Sequence, residues 1–215
     1  MIKKNKAKII ITSLLTVLPI AAGLILWNRL PEKIPTHFNV AGEPDGASSK
    51  AFAVFGLPLF LLAAHLFCVF MTSVDPKKKN ISKKAFGAIL WLCPAISFLI
   101  SVITYGFALG TEFSVNKALM LFFSVIFIII GNYMPKCKQN YSFGIKISWT
   151  LNSVENWNKT HRFAGRLWVT GGVLLAVISL INANFIIFSA FIAVLVAAPV
   201  IYSFAYYKKH IEEKD

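Results

Sequence analysis

Two polar segments hold most of the side chains that could do chemistry. The first, Asn28–Lys50, carries His37, Asn39, Asp45 and Lys50, donors and acceptors of both signs in one short stretch. Such a set suits binding of a peptide or polar ligand; the alternative is an ordered connector lying on helix ends. Pro31 and Pro35 favour an extended start, and Glu43-Pro44-Asp45-Gly46 predicts a tight turn. The second segment, Pro135–Phe163, carries Lys146, Trp149, Thr150, Trp157, His161 and Arg162, with Asn132 just before it. Asn152 followed by Glu155 resembles a capping pair and predicts a helix from about Ser153. That helix puts Val154, Trp157 and His161 on one face. It is expected to lie at a membrane interface before the chain enters a span near Gly165, with Lys159, Arg162 and Arg166 meeting lipid phosphates. The sharper alternative is a docking surface for a cytoplasmic protein.

Other chemistries find little support. HExxH and GxSxG are missing, and no nucleophile–base pair assembles, so no catalytic residue and no enzyme is expected. His37, His65, His161 and His210 fall on different segments and do not converge on one metal, so neither a metal site nor another cofactor is expected. Cys68, Cys93 and Cys137 show no CxxC spacing and are expected as free thiols packing like small hydrophobes. Intramembrane charge is kept where function needs it. The apolar runs contain no Asp or Glu, which argues against a proton- or sodium-driven pump. His65 is the one ionisable group deep in such a run, either hydrogen-bonded to a neighbouring helix or acting as a relay.

The elements that must position these residues follow from composition. Of 215 residues, 57% are hydrophobic and 14% charged, against about 45–50% and about 25% in soluble domains. Six runs are long enough to cross a bilayer as helices: Ile9–Trp27, Ala51–Val74, Ala85–Leu109, Ala118–Met134, Ala164–Ile181 and Phe185–Tyr207. The first is too long for a signal-peptide core and reads as an uncleaved anchor. Pro19, Pro58 and Pro94 interrupt the first three spans and can kink them. The formal charge of +13 would suggest nucleic acid in a soluble protein. Here it reads as topology. With the N-terminus in the cytoplasm, 18 of the 22 basic residues fall inside. They are Lys3, Lys4, Lys6 and Lys8; Lys77, Lys78, Lys79, Lys83 and Lys84; Lys136, Lys138, Lys146, Lys159, Arg162 and Arg166; and Lys208, Lys209 and Lys214. Arg29, Lys33, Lys50 and Lys117 fall outside. The positive-inside rule then predicts an all-α polytopic integral membrane protein with six transmembrane helices and both termini cytoplasmic. Its expected parts are an N-terminal two-helix unit, residues 1–75, with a structured extracellular loop at 28–50, and a four-helix unit, residues 76–215, with a cytoplasmic loop at 135–163. Membrane lipids are expected partners; direct contact with nucleic acid is not. By span counting the two loops face opposite sides.

The residues of both loops resemble those of the SdpI family of bacterial membrane immunity proteins. The outer string is Leu30-Pro31, Ile34-Pro35-Thr36-His37-Phe38-Asn39, Gly42, Asp45-Gly46 and Ser49-Lys50. The longer and more specific inner string is Gly131-Asn132-Tyr133-Met134-Pro135-Lys136, Asn140, Gly144-Ile145-Lys146, Trp149-Thr150-Leu151, Trp157, Thr160-His161-Arg162, Gly165 and Trp168. The resemblance covers roughly residues 10–205. It implies protection of a bacterium, at its cell membrane, from a secreted SDP-type toxin peptide. It also implies a receptor role, in which the toxin-bound protein holds an ArsR-type winged-helix transcriptional repressor at the membrane. On that basis His37, Asn39, Asp45 and Lys50 are expected on the toxin side. Asn132, Lys146, Trp149, Thr150, Trp157, His161 and Arg162 are expected on the repressor side. The family often has Arg and Pro where this chain has Lys146 and Ser148, and Lys lacks the bidentate fork of Arg. The competing class is a small multi-pass transporter or channel, suggested by the kinked spans and His65.

Overall fold

The computed structural model describes residues 2–210; Lys214, counted above with the basic tail, lies outside them. Six helices among the described residues are long and apolar enough to cross a membrane: Ile2–Ile25, Phe52–Val74, Lys83–Ala108, Val115–Lys136, Val154–Ile181 and Phe185–His210. A chain this apolar must satisfy its backbone internally, and helices do so residue by residue. The helices are α1 (Ile2–Ile25), α2 (Leu57–Val74), α3 (Lys83–Ala108), α4 (Val115–Tyr133), a short α5 (Ser148–Asn152), α6 (Val154–Ile181) and α7 (Phe185–His210). A two-stranded hairpin, β1 (Lys33–Phe38) and β2 (Pro44–Ser49), lies between α1 and α2. A π turn at Phe52–Gly56, closed by the Leu57 amide on the Phe52 carbonyl, runs without a break into α2, and Pro58, which has no N–H to offer the preceding turn, directly follows this widened stretch.

Two compact units result. One comprises Met1–Ser73 and Gly87–Val115. In it α1 buries Thr12, Thr16, Pro19 and Gly23, spaced along one helical face. Apolar burial does not drive helices together in lipid, so hydrogen bonds and close packing hold them instead. The Ser97 hydroxyl donates to the Thr16 carbonyl at 2.7 Å, and the Tyr105 hydroxyl to the Pro19 carbonyl at 3.3 Å. Thr12 and His65 Nε2 lie 3.1 Å apart. The Thr12 hydroxyl also reaches the Lys8 carbonyl at 2.8 Å. If its proton goes there, His65 Nε2–H is the donor to Thr12, and Nδ1 is left as an acceptor with no protein partner. Leu30 and Ile34 seat the hairpin on Ala53, Val54 and Tyr105.

The other unit comprises Val74–Phe86 and Asn116–Asp215. Gly131 and Gly165 let α4 and α6 touch. A Cβ on Gly131 would stand 2.9 Å from the Val169 amide nitrogen, and one on Gly165 would stand 2.8 Å from the Gly131 carbonyl oxygen. Met120, Leu175 and Phe188 form a core between α4, α6 and α7. Trp168 donates its indole N–H to the Leu195 carbonyl at 2.7 Å.

The helix expected from about Ser153 is not a separate interfacial segment. It is the start of α6, a single helix of 28 residues, about 42 Å long against roughly 30 Å of hydrocarbon. Its first turns bury Asn156, Trp157, Thr160 and His161. That buried face is covered by the protein's own loop and by Ser203 of α7, and needs no lipid.

Candidate functional site

The hairpin places its four candidate residues in three different roles. Its turn falls at Asn39–Glu43, earlier than the Glu43–Gly46 turn read from the sequence. Asn39 Oδ1 accepts the amides of Ala41 at 2.9 Å and Glu43 at 3.0 Å, and Gly42 has φ 84°. The asparagine side chain closes the turn. Pro44, Asp45 and Gly46 instead belong to β2, where His37 lies opposite Gly46 beside an irregularity in the ladder. Gly46 is required there, since a Cβ would stand 2.9 Å from the His37 Cβ. His37 Nδ1 and Asp45 Oδ1 meet at 2.5 Å, with side-chain exposures of 75% and 41%. Lys50 is different. It is 8% exposed, donates to the Trp27 carbonyl at 3.3 Å, pairs with Glu32 at 2.9 Å, and lies over the Trp27 ring at 5.1 Å. It is a strut beneath the hairpin, whereas His37 and Asp45 face outward.

The 134–163 loop is organised around Trp157 and His161, one turn apart on α6 and stacked with ring centroids 3.9 Å apart. The Trp157 indole donates to the Cys137 carbonyl at 2.7 Å. His161 Nδ1 faces the Trp157 carbonyl at 2.8 Å, and its Nε2 receives the Ile145 amide at 3.1 Å. A carbonyl only accepts, so Nδ1 carries the proton, and the two partners fix one neutral tautomer. Gly144, at φ 121°, is the only residue type that fits beside this ring: a Cβ would stand 2.5 Å from His161 Nε2. Thr150 is fully buried and donates to the Ile145 carbonyl at 2.7 Å, which closes the other side of the loop. Burial pushes the Cys137 thiol up to about 11, opposed by the hydrogen bond from Asn140.

Around this base the remaining candidates are spread. Trp149 is half-buried against Phe204, at 4.9 Å, and Tyr207. Asn132, Lys146 and Arg162 are exposed. The Lys146 ammonium donates to the carbonyls of Tyr141 at 3.0 Å and Ser142 at 3.4 Å. Val154, expected beside Trp157 and His161, is 61% exposed. The α6 cap is Ser153, which accepts the Asn156 amide at 3.1 Å, one residue later than the Asn152 capping pair suggested.

Of four further residues that support this arrangement, Asn140 stood in the inner string with no role assigned, and Gln139, Asn156 and Asp75 were not singled out in the sequence. Asn140 is fully buried; its Oδ1 accepts the amides of Ser142 and Phe143, and its Nδ2 donates to the carbonyls of Lys138 and Phe143. Gln139 donates to the carbonyls of Thr150 and Leu151. Asn156, fully buried on α6, donates to the Ser203 carbonyl at 3.0 Å and accepts the Ser203 hydroxyl at 2.9 Å. Asp75 is 3% exposed and binds Tyr141 and Ser142. Polarity beside an apolar run is the only local signal of these roles. Among the described residues no group of three His, Cys, Asp or Glu is placed to hold a metal.

Comparison with known proteins covers both regions. The profile of the SdpI/YfhL protein family matches residues 136–203, which contain most of the loop and α6. A domain of unknown function, DUF1648, matches residues 14–62, which contain the hairpin. The immunity protein SdpI of Bacillus subtilis (strain 168) is 29% identical over 213 residues, 96% of this chain and 97% of that protein. No solved structure matches the chain. The resemblance read from the loop residues therefore extends from end to end. Six spanning helices together with this similarity mark a multi-pass protein of a bacterial cell membrane.

Proposed function

We propose that this chain is an immunity protein, protecting a bacterium from a membrane-active secreted toxin peptide, and that it also signals the peptide's presence across the membrane. The observation that carries the reading is similarity to an immunity protein over almost the whole of both chains, hairpin and loop included. The hairpin would meet the peptide outside, through the exposed His37–Asp45 pair. The loop would hold an ArsR-type winged-helix repressor inside, through the exposed residues Asn132, Lys146 and Arg162 and the outer edge of Trp149. Both termini are cytoplasmic in this reading, as the basic residues favour. The peptide can shift the loop only by binding one helix arrangement more tightly than another.

The test is expression of the full chain in a toxin-sensitive bacterium challenged with SDP-type peptide. Survival is expected at peptide concentrations that kill cells carrying the empty vector. Killing at equal membrane abundance of the protein overturns the reading. A second reading, transport of a small solute, is favoured by one observation, the unpartnered Nδ1 of fully buried His65. Solute flux through proteoliposomes that His65→Phe abolishes would establish it.

A further inference from the structure

A polar seam joins the end of α2 to the 137–147 loop, and the reading above leaves it without a task. Asp75 directly follows α2. Its Oδ1 accepts the Lys77 amide at 2.7 Å, and its Oδ2 accepts the Tyr141 amide at 2.9 Å and the Ser142 hydroxyl at 2.6 Å. Beside it the Lys77 ammonium donates to Gln139 Oε1 and lies over the Tyr141 ring at 5.4 Å. Asn80 donates to the Gln139 carbonyl at 2.7 Å. We propose that Asp75 is the latch of this seam: it holds the loop against the end of α2 in one state, releases it in another, and so determines whether the loop's outer face is presented to its partner. This rests on the signalling role proposed above and names how that site is regulated.

The placement of the carboxylate argues for such a role. Asp75 sits at a helix C-terminus, where the macrodipole disfavours negative charge. It is 3% exposed, and removing a carboxylate from water is costly unless every lone pair is met. Its three hydrogen-bond partners are all neutral donors. The loop it grips is already shaped from within by Asn140, Thr150, Trp157 and His161, so Asp75 attaches a preformed piece. Hydrogen bonds of this length fail when their partners move apart by about 1 Å. Helix shifts of about 1–2 Å are a common switching motion. Asp75 and all its partners lie within one compact unit, so a movement of the 74–80 segment against the 137–147 loop is enough to open the seam.

Hydrogen exchange on the purified full chain in lipid nanodiscs tests the latch without any partner. Asp75→Ala removes both oxygens and leaves the Lys77 and Tyr141 amides without their acceptor. Exchange at Tyr141 is expected to rise about tenfold, with Ser142, Ile145 and the melting midpoint unchanged, and Asp75→Glu to restore most of the protection. Unchanged exchange at Tyr141 overturns the proposal. So does uniform acceleration across the chain with a lowered midpoint, because Asp75 would then be a folding residue only. In cells carrying a fluorescent winged-helix repressor, Asp75→Ala is expected to recruit it to the membrane without SDP-type peptide. An Asp75→Cys, Ser142→Cys pair, oxidised, is expected to block peptide-induced recruitment until reductant is added. Recruitment by the locked pair equal to wild type overturns the switch. If the wild type recruits no repressor while the exchange pattern is as expected, the signalling reading fails and the seam's opening stands.

Discussion

His37 in the hairpin has a side chain 75% exposed and paired with an exposed aspartate. His161 in the loop is 1% exposed, with each ring nitrogen held by a backbone group. The lysines differ in the opposite sense: Lys50 at the base of the hairpin is buried with its ammonium over an indole, while Lys146 of the loop is exposed. Residue type therefore does not tell which side chains are free to meet a ligand. In the hairpin, backbone pairing and the Lys50 strut supply the shape, and the histidine is left to face water. The loop has no ladder to shape it, so buried side chains supply the backbone's partners, and whatever it binds must be met by its outer residues.

Removing the centre of the loop should have the largest effect. Trp157→Ala takes away a fully buried ring and the donor to the Cys137 carbonyl. A loss of about 3–5 kcal/mol is expected from the lost burial and the cavity together. Thiol labelling reads the same event. With the Cys137 thiol pushed up to about 11, only on the order of one molecule in a thousand carries the reactive thiolate at pH 8. Cys137 should therefore resist iodoacetamide in the wild type and react in Trp157→Ala, with Cys68 and Cys93 replaced by Ala in both. Equal labelling of the two proteins would show that Trp157 does not hold the loop, and the contrast with the hairpin would collapse.

Much of this was legible in the sequence, and the failures have physical causes. The six spans were plain because apolar length alone defines them. Trp157 and His161 were read onto one helix face because their spacing is helical. The face itself was misassigned: Val154 points away, and the buried surface turns toward Asn156 and Thr160. The position of the hairpin turn was missed because Glu43-Pro44-Asp45-Gly46 has turn chemistry, yet Asn39 offers the backbone a stronger alternative through two amide hydrogen bonds. Asp75 could not be found locally, since Tyr141 and Ser142, its partners, lie more than sixty residues downstream.

A middle-sized effect separates the two kinds of hairpin residue. Lys50→Ala removes a buried strut, its ion pair and its contact with Trp27, and should cost about 1–3 kcal/mol. Lys50→Met keeps the stem over the ring and should recover part of that. Replacing His37 or Asp45 by Ala removes an exposed pair, for which about 0–1 kcal/mol is expected. Immunity should follow the reverse order once membrane abundance is equalised: His37→Ala and Asp45→Ala should lose protection, while Lys50→Met should keep it. If Lys50→Met alone loses protection at normal abundance, the buried lysine is itself part of the recognition surface, and exposure is a poor guide to which hairpin residues act.

The smallest structural effect is expected where the functional effect should be clean. Arg162 and Asn132 are exposed, and alanine at such positions typically changes stability by no more than about 0.5 kcal/mol. Arg162 stands one residue beyond His161 on α6, on the opposite side of the helix from the buried face, and carries a guanidinium suited to a partner's carboxylates. Arg162→Ala should leave the melting midpoint, Cys137 labelling and survival under toxin unchanged, yet abolish repressor capture. Trp157→Ala should also abolish capture, but only by dismantling the loop. The two variants thus separate what shapes the loop from what the loop presents. Capture retained in Arg162→Ala and lost in Trp149→Ala would move the contact from the charged surface to the aromatic edge against α7, still on the outside of the same buried knot.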